Sequence, residues 1–194
     1  MTTAASRRGP AVSEPATVEV HVAELRQLFN TIDPSPFREK DLDPGAEEFI
    51  VEWAREVPSG KPLALIVHVD RPGGAEDEAA LRDAVRGFFS HRAEMSRRRL
   101  RQLFARGRVS LAIGIAYLAI SLALSDVLAR VLGGRPIAEI VRESLLIGGW
   151  VAMWGPMEVF LYDWWPIRAE AQLADRLAAM PVRVVSEPVM ATAD

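Results

Sequence analysis

The sequence predicts an α+β fold: a small cytoplasmic mixed α/β module of about three strands, helices on one face, with an inserted two-helix transmembrane hairpin. Three observations lead there. Two short segments, 17–22 and 63–69, have the apolar patterns of strands. Two longer runs are almost free of charge: Val109 to Ser125 carries none, and Ser144 to Trp165 carries only Glu158 and Asp163. A dense arginine block, Arg97, Arg98, Arg99, Arg101, Arg106 and Arg108, stands just before the first run.

The elements follow in order. Residues 1–16 contain a basic pair but no apolar stretch behind it, so they read as a disordered lead and not as a secretory signal. In 17–22, Val18, Val20 and Val22 alternate with Glu19 and His21, which gives a strand with one buried face. Leu25, Leu28, Phe29 and Ile32 fall at helical spacing, and Asp33-Pro34-Ser35-Pro36 ends that helix because proline cannot continue the backbone ladder. Asp43 is a suitable N-cap and Pro44 a suitable first helical residue. The stripe Ala46, Phe49, Ile50, Trp53, Ala54 and Val57 then predicts an amphipathic helix, stopped at Pro58-Ser59-Gly60.

Leu63 to Val69 is the most apolar strand and belongs at the centre of the sheet. Arg71-Pro72-Gly73-Gly74 turns the chain into a long helix that packs through Leu81, Ala84, Val85, Phe88 and Phe89. Its pattern continues through Met95, Leu100, Leu103 and Phe104 toward the membrane run. After the hairpin, residues 167–180 read as a helix with Ala171, Leu173, Ala174, Leu177 and Ala178 inward. Val182 and Val184 alternate with Arg183 as a third strand. The expected organisation is a lead over 1–16, the first part of the module over 17–95, and a basic juxtamembrane helix over 96–108. Spans follow at 109–132 and 144–165, joined by an external turn over 133–143. The module is completed over 166–185 and a disordered tail covers 186–194.

Composition agrees with this division. Hydrophobic residues make up 49% and charged residues 25%, too much charge for an all-membrane chain and too long an apolar run for an ordinary soluble one. The net charge of −3 argues against nucleic acid as the partner. No cysteine is present, which excludes disulfides, thiolate metal sites and cysteine nucleophiles. Lys40 and Lys61 are the only lysines, so the positive charge is nearly all arginine, a composition that fits a bacterial source.

A membrane-spanning helix needs roughly 20 apolar residues, and both runs meet that requirement. Tyr162, Trp164 and Trp165 suit the headgroup level, as amphipathic rings do. The arginine block, with Arg92, Arg168 and Arg176, outweighs Arg130, Arg135 and Arg142 on the other side, so both termini are expected in the cytoplasm of a bacterial inner membrane. Ile137 to Glu143 reads as a short surface helix. The implied partners are the lipid bilayer and a homo-oligomer or a membrane-protein partner.

Glu158 is the sharpest candidate for chemistry. Counted from the tryptophan pair it sits roughly 10 Å inside the near interface at 1.5 Å per residue. A charge at the helix centre costs about 2.5–3.5 kcal/mol, so Glu158 is expected to be protonated, paired or facing water. Pro156 removes a helix hydrogen bond beside it, and Tyr117 is a candidate partner. Trp150, Trp154 and Glu158 share one helix face. Ala112, Ala116, Ala119 and Ala123, with Gly114, line the first run, and Gly148 and Gly149 open the second, as close helix packing requires.

Elsewhere the signals for catalysis are thin. His21 and His68 become neighbours if their strands pair, and Asp33, Asp41 or Asp43 would have to join them to hold a metal; no spacing matches a ligand motif, so neither a metal nor another cofactor is expected. The carboxylates Glu39, Asp41, Asp43, Glu47 and Glu48 are dense, but capping and first-turn placement explain several. No phosphate-binding glycine loop or nucleophile elbow occurs.

LFNTIDPSPFREKDLDPGAEEFIVEWARE and EVFLYDWWPI resemble segments of small uncharacterised bacterial two-span membrane proteins, over most of 17–185. That resemblance implies a chain that folds as one unit, with no activity attached. Three functions are in play: a non-enzymatic membrane-anchored assembly, scaffold or regulatory module, a homo-oligomeric ion or proton conductor using Glu158, and a membrane-tethered enzyme using the Asp33–Glu48 region.

Overall fold

The computed structural model describes residues 14–30, 41–71, 74–132 and 136–186. Residues 1–13 of the expected lead, the Asp33–Pro36 helix stop, the first half of the Asp33–Glu48 region, the tip of the expected turn over 133–143 and residues 187–194 lie outside these residues. The chain divides into two compact units. One comprises the residues up to Ala93 and those from Gln172, and the other is Glu94–Ala171.

The first unit is built on a three-stranded, all-parallel sheet in the order β1-β2-β3, with β1 at Ala16–Val22, β2 at Leu63–Val69 and β3 at Val182–Ser186. β2 is central, as its apolar sequence predicts. One face carries Val18, Leu65, Val67 and Val182, all buried. The register aligns them: Val18 faces Leu65, Leu65 faces Val182, and Val67 faces Val184. Crossovers between parallel strands are right-handed, so two successive crossovers in the order 1-2-3 put every connecting helix on the same side. Among the described residues, the hydrophobic core accordingly joins this face to the helices and includes no residue of the other face.

Helix α1, Pro44–Glu56, starts as predicted. The Asp43 carboxylate accepts hydrogen bonds from the Gly45 and Ala46 amides at 2.9 and 3.4 Å. Its inward face differs by one position from the expected stripe. Ile50, Val51 and Ala54 are buried, whereas Phe49 is 51% exposed. Before α1 the expected helix shrinks to one 3-10 turn, Leu25–Leu28, because Phe29 turns into an antiparallel bridge with Leu42. Ile32 lies outside the described residues.

Helix α2, Ala75–Leu132, is continuous over 58 residues and belongs to both units. Its first part buries Leu81, Ala84, Val85 and Phe89 in the core, with Phe88 at the margin. Helix α3, Pro136–Glu158, is followed by a π turn, Val159–Asp163, and then by α4, Trp164–Ala178. No break separates Ile137–Glu143 from the second apolar run, so the expected surface helix is simply the start of α3. At the far end of α4, Leu177 enters the core, and the Arg176 guanidinium donates to the carbonyls of Pro58 and Lys61 at 3.1 and 3.0 Å. That arginine ties the returning chain to the loop that leads into β2.

Two substitutions gauge these contacts. Phe89→Ala empties a fully buried site and should cost about 3–5 kcal/mol, whereas Asp43→Ala removes one cap and should cost about 1 kcal/mol. Thermal unfolding of the purified chain should place the two in that order.

Candidate functional site

The second unit holds the features that the sequence singles out. Its helices pack antiparallel through small residues. A side chain at Gly114 would come within 3.0 Å of Met153 Sδ and 3.2 Å of the Ala152 carbonyl oxygen; one at Gly107 would meet Val159 at 2.7 Å. From the facing helix, a side chain at Gly149 would meet Leu118 at 2.6 Å, and one at Gly148 would meet the Tyr117 hydroxyl at 3.0 Å. Ser121 and Ser125 are buried along the same line. Gly107, Gly114 and Ser121 are seven residues apart, the period of a left-handed helix pair.

This seam is not the one expected from the sequence. Ala112, Ala116, Ala119 and Ala123 are exposed, and of the predicted stripe only Gly114 faces the partner helix. An alanine series at spacings of three and four resembles a packing face, but a neighbouring series with a strict seven-residue repeat carries the contact. Spacing alone was the available signal, and it pointed to glycine and serine as well as to alanine.

Pro156 is fully buried within α3. Having no N–H, it cannot bond the carbonyl four residues back, which is that of Ala152. That carbonyl lies against Gly114, too close for a Cβ between them. The oxygen released by Pro156 therefore faces the Cα hydrogens of Gly114, the arrangement of an interhelical Cα–H···O contact. A second irregularity follows three residues later in the π turn. There Phe160 packs 6.0 Å from Phe104, and the Trp164 indole N–H donates to the Phe160 carbonyl at 3.0 Å.

The contacts also define heights along the hairpin. Gly107 is opposite Val159 and Phe160, Gly114 opposite Ala152 and Met153, and Leu118 opposite Gly149. Continued by one residue, that register sets Glu158 about level with Arg108. Tyr117 and Glu158 are not brought together: Tyr117 lies at Gly148, ten residues away, or about 15 Å along the helix. Trp164 and Trp165 come about level with Gln102 and Arg101, inside the arginine block. Trp164 is 6.5 Å from Phe104, consistent with that placement. The Arg168 guanidinium sits 5.6 Å from the centre of the Trp164 ring.

Arg97, Arg98, Arg99, Arg101, Arg106 and Arg108 are all exposed, and Arg98 pairs with Glu94 one turn back. Glu158, Tyr162 and Trp165 are also exposed, and Trp164 is half-buried. Outward-facing apolar residues are numerous between these levels. Leu146, Ile147, Trp150, Val151 and Trp154 line a shallow, almost wholly apolar groove on α3. The helices containing the two apolar runs are long and apolar enough to cross a membrane, with best windows of mean hydropathy 2.1 and 1.3. Only 17% and 11% of those windows are buried.

In the first unit His21 and His68 do meet. Their strands pair in register and the rings stack at 4.3 Å, nearly parallel. His68 Nε2 lies 3.6 Å from a Glu19 carboxylate oxygen. Among the described residues no group of three histidine or carboxylate side chains could hold a metal ion. Asp43 is the helix cap, and Glu47 forms an ion pair with Arg92, so both carboxylates have structural work.

The chain matches no family model, no curated protein and no solved structure.

Gly114→Val should disrupt the hairpin, because the added methyls meet a backbone oxygen that cannot yield. Ala116→Val, on an exposed face, should be tolerated. Thermal aggregation of the two purified variants should separate them by several degrees, roughly what a 1–2 kcal/mol difference produces.

Proposed function

We propose that this protein is an integral protein of the bacterial inner membrane, with a two-span hairpin anchoring a cytoplasmic α+β module that serves as a non-enzymatic assembly or regulatory element. The observation that carries the membrane reading is the low burial of the apolar windows. A core helix of a soluble protein is mostly buried, whereas these two are 17% and 11% buried. Exposed apolar surface on that scale requires lipid or another protein to cover it.

Connectivity supports two crossings. The chain leaves the sheet after β2 and returns to pair β3 with β2. An even number of spans brings it back to the side it left. The arginine excess at the ends of the hairpin favours the cytoplasm for that side. It also gives the arginines a second use, since each basic residue near an anionic leaflet contributes about 1 kcal/mol of attraction.

Glu158 fits this reading as a headgroup-level residue. Its register with Arg108 sets it at the edge of the charge-free run, where a carboxylate costs little. The closed seam at Gly107, Gly114 and Gly149 leaves no lumen within one hairpin, so a conductor would need an axis between copies, whereas an anchor needs only the single chain. The assembly role draws on the sheet. Parallel sheets are ordinarily covered on both faces, and the helices of this module cover one.

Membrane fractionation tests the anchor: the chain should stay in the pellet through alkaline carbonate extraction, and release into the supernatant would overturn it. A periplasm-dependent reporter inserted at Gly134 should be active, and the same reporter at the C-terminus inactive. Glu158→Gln should leave membrane retention and proton permeability of cells within about twofold of the parent, as expected for a residue outside the hydrocarbon core. Loss of a proton leak on that substitution would restore the conductor.

A further inference from the structure

The face of the sheet turned away from the core carries an asymmetric charge pattern. Its residues are Thr17, Glu19 and His21 on β1, Ala64, Ile66 and His68 on β2, and Arg183 and Val185 on β3. The register sets Glu19, Ile66 and Arg183 in one row across the three strands, and His21, His68 and Val185 in the next. Each row is unlike at its two ends. The first runs from acid through an apolar centre to base.

We propose that a second copy of this chain covers this face, sheet against sheet, about a two-fold axis parallel to the strands. That axis exchanges β1 with β3 and leaves β2 facing itself. Glu19 then meets Arg183 of the partner subunit, Arg183 meets Glu19 of the partner subunit, and Ile66 packs on Ile66 of the partner subunit. An axis perpendicular to the strands would oppose Glu19 to its own copy and Arg183 to its own copy, which repels at both ends. The charges therefore select one geometry. Glu19 is exposed and reaches His68 of its own chain only at 3.6 Å, and among the described residues Arg183 forms no ion pair within the chain. Exposed Val185 and half-buried Ile66 supply the apolar contact.

The footprint limits the strength. Three strands about 4.8 Å apart, over some five residues at about 3.3 Å each, present roughly 250 Å² per copy. A stable dimer buries about 800 Å² per partner. The pairing is thus weak in dilute solution and depends on confinement, which anchoring to a surface supplies through raised effective concentration. The inference rests on the assembly reading above.

The chain has no cysteine, so one introduced thiol is a clean probe. With Ile66→Cys in the full-length chain, a short bis-maleimide added to intact cells should yield a covalent dimer. Val67→Cys, on the core face, should not. In the Ile66→Cys background, Glu19→Arg or Arg183→Glu alone should lower cross-linking about fivefold, the effect of roughly 1 kcal/mol, and the two together should restore it. A dimer indifferent to these reversals would overturn the proposed geometry. A thiol at position 66 shielded from a monofunctional maleimide, with no dimer, would assign the face to a terminal segment of the chain or to a different protein; that overturns self-pairing and leaves the assembly reading intact. A thiol freely labelled and never cross-linked would overturn both.

Discussion

The pairing of β3 with β2 is the constraint from which the rest of the architecture follows. β2 is the central strand, and until β3 arrives one of its edges has unpaired amides and carbonyls. The strand that satisfies that edge comes after the whole helical hairpin in the chain. Loop-closure cost rises only slowly with length, so the long detour is thermodynamically cheap. The requirement it imposes is geometric, because whatever the intervening helices do, they must bring the chain back to the same sheet. The ties made by Leu177 and Arg176 at the end of α4 hold that return in place.

The same strand order explains why the sheet is covered on one face. In a doubly wound sheet, the order reverses partway and helices fall on both sides. Here the order runs 1-2-3 without reversal, so right-handed crossovers stack all helices together. That the described helices leave one face of the sheet to other partners is thus a consequence of topology. Its side chains reflect this: Glu19, His21 and Arg183 stand where a doubly covered parallel strand would carry aliphatics.

Much of this was legible in the sequence. The three strands, the Asp43 cap, the Leu81–Phe89 packing face and the burial of Leu177 all follow from local periodicity or capping chemistry. What failed did so for non-local reasons. Phe49 lies outside and Val51 inside, so the buried stripe of α1 is rotated by part of a turn from the one its own periodicity marks, and which flank of an amphipathic helix meets the core is set by its neighbours. The helix after β1 became a single turn because Phe29 found a partner in Leu42, beyond the reach of any helical window. In the hairpin, the apolar composition is plain from the sequence, but the register is not. Counting residues from the tryptophan pair puts Glu158 roughly 10 Å inside the near interface, and the facing helix adds that this height is about level with Arg108. Only the pairing of the two helices reveals that the tryptophans and the arginines share one level.

The late position of β3 also has a consequence in time. Synthesis runs from the N-terminus, so β1, α1, β2 and the first part of α2 are complete while the chain that will form β3 is still inside the ribosome. During that interval Leu65 and Val67 lack their neighbours Val182 and Val184, and one edge of β2 stays open. An open edge is a template for pairing with other chains. A molecule whose synthesis stops within the hairpin, or whose helices are misrouted, keeps that edge exposed. Closure of the sheet therefore requires that everything between β2 and β3 has been made and returned, and an unfinished chain keeps an open strand edge.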